Sequence, residues 1–287
     1  MSIYDVLTLE RIEKNIFRGQ SQDIGTPQVF GGQVLAQALE SAQATVEDRT
    51  IHSVHAYFLN KGDFEAPIIY EVDRSRSGRS FSARRVVAIQ HGRPIFTMSA
   101  SFQIDEHGLD YGQKIAMPKL PDAATTTYTP WQKSVKSNGS STPRSQKIRA
   151  IKPTSYFDSE IVSVSNEHSD ANLQVWLKLK ENVSGDETRH KTLLAYVSDL
   201  GLLLATLTPH GYQVFNPLEI SKFALASIDH AMWFHRPFKI DQWMLYKSQA
   251  ISTSNARGLA KGSFYSAEGE LVATTMQEGL IRPLDTR

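Results

Sequence analysis

The sequence contains no cysteine, which excludes disulfides, thiolate metal ligands and a cysteine nucleophile together and accords with a reducing compartment. It has almost no net charge. Against 31 Lys and Arg stand 30 Asp and Glu, a formal +1, so nothing suggests a nucleic acid or other extended polyanion as partner, and any anion site must be local. Long hydrophobic runs are missing as well: the most apolar stretch, Leu200 to Leu207, falls far short of the roughly 20 residues that cross a bilayer. No membrane span is expected. Met1 to Arg18 carries Asp5, Glu10 and Glu13 where a secretory signal has a basic start and an unbroken apolar core, and it reads as an ordinary helix. The closing Leu284-Asp285-Thr286-Arg287 is no Ser-Lys-Leu type of address. A cytoplasmic protein is the expectation.

Motifs for bound groups are also lacking. There is no G-x-G-x-x-G, no Walker A loop, no H-E-x-x-H and no G-x-S-x-G elbow, so no cofactor and no metal is expected, and the fold is not marked as a Rossmann, P-loop or α/β-hydrolase one. Hydroxyl, carboxylate or water remains as the nucleophile.

At 287 residues the chain has material for two domains of ordinary size. Ala123 to Gln146 is dominated by Thr, Ser, Lys, Pro and Asn without helical or strand period, and reads as a linker. Three matches recur in order on either side of it. Ser53-Val54-His55-Ala56-Tyr57-Phe58 resembles Ser227 to Phe234 at an offset of 174 with two residues inserted, Ala83-Arg84 matches Ala256-Arg257 at 173, and Gly92 to Met98 lies over Gly269 to Thr275 at 177. Such a repeat predicts a duplication, with an N-terminal unit over 1–120, a linker over 121–146 and a C-terminal unit over 147–287.

Behind Gly31-Gly32, the apolar Val34, Leu35, Ala38, Leu39 and Ala42 recur at helical spacing, predicting a helix buried on much of its circumference. Strands are expected at Ile51 to Leu59, Ile68 to Asp73, Ser82 to Gln90 and Arg93 to Gln103, the last alternating Phe96, Met98, Ala100 and Phe102 on one face. The second unit repeats the plan with a helix near Lys191 to Leu204 and strands near Ala226 to His235, Trp243 to Thr253, Gly258 to Tyr265 and Glu270 to Gly279. A buried helix followed by an antiparallel sheet, twice, is an α+β fold.

One carboxylate in the second helix is out of place. The positions three and four away from Asp199 are Ala195, Tyr196, Leu202 and Leu203, so its face is not a solvated one, and a lone buried carboxylate must be hydrogen-bonded, protonated or at work. Ser227 opens a strand with His230, Trp233, Phe234 and His235, and Gln277 sits on the final strand with Leu271, Ala273 and Thr275. In isolation the serine reads as structural and the glutamine as a solvated residue. A Ser-His-Asp triad of Ser227, His230 and Asp229 is disfavoured by strand alternation, which gives 227 and 229 one face and 230 the other. His52, His55, His230 and His235 match no metal-ligand spacing and read as packed side chains. Among the basic residues, Arg84 and Arg257 are candidates for holding the phosphates of a nucleotide-bearing thiol, since guanidinium matches phosphate bidentately.

Six stretches together resemble the type II acyl-CoA thioesterase family: Phe17-Arg18-Gly19-Gln20-Ser21, Gln28 to Val34, Ser80 to Val86, Leu194 to Leu200, Ile228 to Phe238 and Thr274 to Gly279. The resemblance spans about residues 7–282 apart from the linker. It implies a double hot-dog fold, each half a helix wrapped by an antiparallel sheet, and an acyl-CoA substrate. It also implies a catalytic trio of Asp199, Ser227 and Gln277, with Ser at 227 where the family commonly has Thr, so that the hydroxyl survives and the rotamer-limiting methyl is lost. Further assembly into a homodimer or homotetramer is implied in the same way. In such a trio the carboxylate acts as base or orienter while the hydroxyl and amide fix a water that attacks the thioester carbonyl. Counting back 177 from Gln277 reaches Ala100, so one active site per chain is expected, near the interface of the halves. Two rivals are a hot-dog enoyl-CoA hydratase or dehydratase, which needs His230 or His235 to cooperate with Asp199, and a non-catalytic acyl-CoA sensor.

Overall fold

The computed structural model describes residues 2–26, 28–121, 156–165, 172–183 and 187–284. All of the expected linker over 121–146 except Pro121 lies outside them. The chain begins with α1 (Ile3–Leu7), β1 (Glu10–Glu13) and β2 (Ile16–Gly19), then the long α2 (Gly31–Gln43) and strands β3 (Thr50–Phe58), β4 (Ile68–Ser77), β5 (Phe81–Gln90) and β6 (Arg93–Gln103). It continues with β7 (Phe157–Val164), β8 (Leu173–Leu179), α3 (Glu187–Ser198), a 3-10 helix (Leu203–His210), α4 (Pro217–Ile220), β9 (Phe223–Ser227), β10 (Asp229–Phe234), β11 (Met244–Ser254), β12 (Arg257–Tyr265) and β13 (Leu271–Pro283).

The first 18 residues are not one helix. Ser2 caps a single turn by accepting from the Tyr4 N–H while its own N–H donates to Asp5, and the chain then turns at Lys14-Asn15 into a hairpin with Glu10 opposite Arg18 and only Phe17 and Gly19 buried. Charges at 10, 11 and 13 leave no apolar helical face to bury, and a cross-strand Glu-Arg pair favours the hairpin.

The strands form one antiparallel sheet in the order β1-β2-β4-β5-β6-β3-β10-β13-β12-β11-β8-β7, with β9 beside β13. This order reads as the same plan from either end: β3 matches β10, β6 matches β13, β5 matches β12 and β4 matches β11. The halves join where β3 pairs with β10 at the centre. The helix α2 packs on β3 to β6 of its own half, α3 packs on α2 and on β3, and the 3-10 helix packs on β11, β12 and β13. Val34, Leu35, Ala38, Leu39 and Ala42 of α2 and Leu193, Leu194, Ala195 and Tyr196 of α3 belong to one continuous core. Burying such side chains contributes about 1.5–3 kcal/mol for each large aliphatic one, and both helices are buried on most sides, α2 from Gly32 to Ala42 except Glu40 and α3 from His190 to Ser198.

The hairpin turns confirm the offset of 177, since Gly92 and Gly269 occupy matching turns and both have positive φ (71° and 83°). They also correct the other two alignments. Ala100 pairs with Arg84 and Val54, whereas its counterpart Gln277 pairs with Ala260. Arg84 therefore corresponds to Ala260, not to Arg257. By the same ladders Ser53 corresponds to Asp229, and Ser227 to Ile51.

The segment 187–210 is long and apolar enough in composition to pass for a membrane-crossing helix. Most of it is buried inside the fold, and the helix stops at Ser198 before the 3-10 turn begins at Leu203. Helical periodicity across Asp199 thus overran the end of α3.

Candidate active site

Asp199 is the first residue beyond α3, in a tight turn completed by Gly201 at φ 79°. Its carboxylate faces the start of α2, where the Gly32 N–H donates to it. A helix N-terminus carries unsatisfied N–H groups and a partial positive charge. Space there is short. A Cβ at residue 31 would meet Asp199 Oδ2 and the Phe58 ring, and one at residue 32 would lie 2.1 Å from the Tyr196 carbonyl oxygen. The Gly31-Gly32 pair is thus what lets α2 approach the end of α3 this closely.

Ser227 reaches the same carboxylate because of an irregularity that alternation cannot reveal. Ser227 pairs with Gly279 and Ala231 with Met276, so four steps on one strand oppose three on the other. One extra residue at Ile228 makes a β-bulge and splits the expected strand into β9 and β10. The bulge reverses the facing of Ser227. It points inward beside Gln277, while Asp229 points outward and accepts from the Glu278 N–H at 2.7 Å. Residues 227 and 229 therefore do not share a face, contrary to the alternation expected from sequence.

Three side chains from three elements then close a triangle. Ser227 Oγ donates to Asp199 Oδ1 at 3.2 Å, Gln277 Nε2 donates to Ser227 Oγ at 3.0 Å, and Gln277 Nε2 also donates to Asp199 Oδ1. Gln277 is fully buried, unlike the solvated glutamine expected of it alone, because Ala273, Thr275, Gln277 and Ile281 form the inward row of β13. Desolvation raises the Asp199 pKa to about 6, opposed by the hydrogen bonds from Gln277, Ser227 and Gly32. A carboxylate so placed is ionised at neutral pH yet basic enough to take a proton.

Beside the triangle lies a narrow cleft of about 60 Å³, walled by Val29, Val34, Phe58, Ile95 and Phe96 from the first half and by Ser227 from the second. At the opposite end of the β3–β10 seam is its counterpart, a cleft of about 390 Å³ bordered by Thr50, Lys191 and Phe234. There Lys191 donates to the Ile51 carbonyl at 3.0 Å and pairs with Glu187 at 2.6 Å. Among the described residues no carboxylate-hydroxyl-amide triangle borders it: Ile51 and Ala100 stand where Ser227 and Gln277 stand in the other half.

The two arginine candidates are not part of the triangle. Arg84 is buried, and its guanidinium donates to Thr45 Oγ1 and to the carbonyls of Thr45, Arg76 and Ala83 at 2.7–3.0 Å, which makes it a strut between β5 and the end of α2. Arg257 pairs with Glu278 at 2.9 Å on the outward face. The triad alternative is also answered by geometry: His230 Nε2 lies 2.9 Å from Ser198 Oγ and 3.0 Å from Thr275 Oγ1, not against Ser227. Among the described residues no cluster of His, Asp and Glu could hold a metal ion.

Comparison with known proteins is consistent along the whole chain. Residues 18–103 match the acyl-CoA thioesterase N-terminal domain model and residues 149–280 the acyl-CoA thioesterase model. Acyl-CoA thioesterase 2 of Haemophilus influenzae is 40% identical over 286 residues, covering 98% of this chain and 97% of that protein. The chain belongs to the acyl-CoA thioesterase family. Human acyl-coenzyme A thioesterase 8 is a more distant member, 33% identical over 96% of this chain and 88% of its own length. The crystal structure of acyl-CoA thioesterase II TesB2 from Mycobacterium marinum superposes with a TM-score of 0.78 at 34% identity, covering 100% of this chain and 99% of that one. A protein with a hot-dog fold from Alicyclobacillus acidocaldarius, at 18% identity and TM-score 0.71, shares the architecture. The thioesterase fold of this chain is accordingly a double hot-dog.

The part played by Gly31 and Gly32 is not legible in the sequence beyond their position ahead of a helix. A glycine pair there is explained by any helix start, and only the opposing carboxylate distinguishes this one.

Proposed function

We propose that this chain hydrolyses acyl-CoA to a free fatty acid and CoA, at one site per chain, using a water held by Asp199, Ser227 and Gln277. The observation that carries the reading is the convergence of a hydroxyl, an amide and a helix N-terminus on one desolvated carboxylate. Asp199 takes a proton from the attacking water, and Ser227 and Gln277 fix its direction of approach to the thioester carbonyl. Negative charge then develops on the carbonyl oxygen, beside the positive end of the α2 dipole. The thiolate departs as the tetrahedral intermediate collapses.

The first half supplies the cleft wall through Val29, Val34, Phe58, Ile95 and Phe96, so an acyl chain lies between the halves. We take the units to be 1–120 and 147–287 joined by 121–146, and the assembled protein to be a homodimer or homotetramer in the cytoplasm. The hydratase alternative is weakened by the engagement of both its histidines, His230 with Ser198 and Thr275, and His235 with Thr274 at 2.9 Å.

The test follows free thiol and enoyl absorbance while the protein is incubated with acyl-CoAs of several chain lengths. Thiol release that falls about 10²- to 10⁴-fold in Asp199→Asn supports the reading. Undiminished release in a folded Asp199→Asn variant removes the trio, absorbance change without thiol supports hydration, and binding with neither supports a sensor.

A further inference from the structure

His230 is completely buried, takes no part in the chemistry above, and sits on β10 against the end of α3 and β13, next to the residues that carry Asp199 and Gln277. Its Nε2 lies 2.9 Å from Ser198 Oγ and 3.0 Å from Thr275 Oγ1. Ser198 directly precedes Asp199, Thr275 is two residues before Gln277 on the same inward row of β13, and His230 itself follows Ser227 by three residues across the bulge. The ring therefore ties the end of α3, β13 and β10 together from behind the triangle.

The proton on the ring can be assigned from the two hydroxyls. Ser198 Oγ donates its one hydrogen to the Ala195 carbonyl at 2.8 Å, and Thr275 Oγ1 donates its own to the Ala231 carbonyl at 2.8 Å. Both oxygens turn lone pairs to the imidazole, so Nε2 bears the hydrogen and shares it between them. Tyr246 braces the same corner, its hydroxyl donating to the Ser198 carbonyl at 3.0 Å.

We infer that His230 is a positioning residue: through Ser198 and Thr275 its imidazole N–H fixes where Asp199 and Gln277 stand relative to Ser227. This rests on the trio being the catalytic group. Burial also holds the ring neutral, with its pKa lowered to about 3, so it works as a fixed donor and not as an acid or base.

The experiment compares wild type with His230→Leu, His230→Gln and the double variant Ser198→Ala/Thr275→Val, each checked for folding by thermal unfolding. A glutamine side chain carries its amide N–H near the Nε2 position, and leucine carries none. Loss of alignment at this distance typically lowers rate by about 10- to 100-fold. Expected is such a fall in kcat with KM little changed for His230→Leu and for the double variant, substantial recovery in His230→Gln, and an acid limb of the pH profile that persists in all of them. Unchanged kcat in the folded double variant overturns the inference, and it does so even if His230→Leu fails to fold. Loss of a pH limb in His230→Gln overturns it too, by making the ring an acid or base. Asp199→Asn run alongside separates the two levels: if that variant is active the trio itself is wrong, and if it is inactive while the node variants are unimpaired only the role of His230 falls.

Discussion

A Cβ added to Gly31 would stand 2.6 Å from Asp199 Oδ2, so the first residue of α2 and the first residue beyond α3 exclude any side chain between them. The same Cβ would lie 2.8 Å from Phe58 Cε1, and it has no direction in which to yield freely. Gly31→Ala is expected to fold, to shift either the carboxylate or the ring, and to lose about 10- to 100-fold in kcat. Steady-state kinetics on the folded variant decide it, and an unaltered kcat would mean that the close approach has no bearing on turnover.

The raised pKa of Asp199, about 6, makes a paired prediction for activity and stability. With the carboxylate as base, kcat/KM rises as pH passes through 6 and levels off above it. For folding the sign is opposite. A pKa raised above the usual 3.8 means the folded state prefers the protonated form, so the stability contribution is full below about 4 and is lost as pH rises through 6. The shift bounds that loss at about 3 kcal/mol. Asp199→Asn escapes it. Melting curves from pH 4 to 8 should find the variant gaining on wild type up to pH 6 and holding its lead beyond, while a gap that does not vary with pH contradicts the desolvated carboxylate.

Ser227 separates the need for a hydroxyl from the need for a particular side chain. Ser227→Thr keeps donor and acceptor and is expected to retain activity within a few-fold. Ser227→Ala removes the 3.2 Å bond to Asp199. Because that bond lowers the carboxylate pKa, its loss moves the acid limb of the profile to higher pH and lowers kcat by about 10²-fold or more. A Ser227→Ala enzyme with the wild-type limb would detach the hydroxyl from the carboxylate.

Arg84 is expected to affect folding and not binding. Substitution by Met leaves the Thr45, Arg76 and Ala83 carbonyls short of a donor, at about 1–3 kcal/mol for a buried group left unpaired. Urea titration should register that loss while KM for acyl-CoA stays near wild type. A raised KM with unchanged stability would restore Arg84 as a phosphate ligand.

Much of this architecture was legible in the sequence, and what was not has physical reasons. The α2 helix announced itself through Val34, Leu35, Ala38, Leu39 and Ala42 because burial kept the period clean, and β6 was readable end to end because Phe96, Met98, Ala100 and Phe102 all enter the core. The strands β7 and β8 carry no clear period in the sequence. They form one margin of the sheet, where partial exposure blurs alternation. At the site, a carboxylate amid apolar neighbours was visible, but its true setting was the end of a helix and not the interior of one. The bulge at Ile228 was invisible, since an inserted residue changes facing without changing composition, and Ser227 and Gln277 looked ordinary until it brought them together.

The matching strand order has a consequence for how this protein can vary. When two identical hot-dog units pair, every substitution appears in both clefts at once, so neither can change without the other. Here β3 and β10 belong to one chain, and that coupling is gone. One cleft has a carboxylate, a hydroxyl and an amide beside it, while the other is bordered by the Lys191–Glu187 ion pair. Within one chain the two clefts are independently inherited surfaces, and on the proposed reading only one of them must remain fit for hydrolysis.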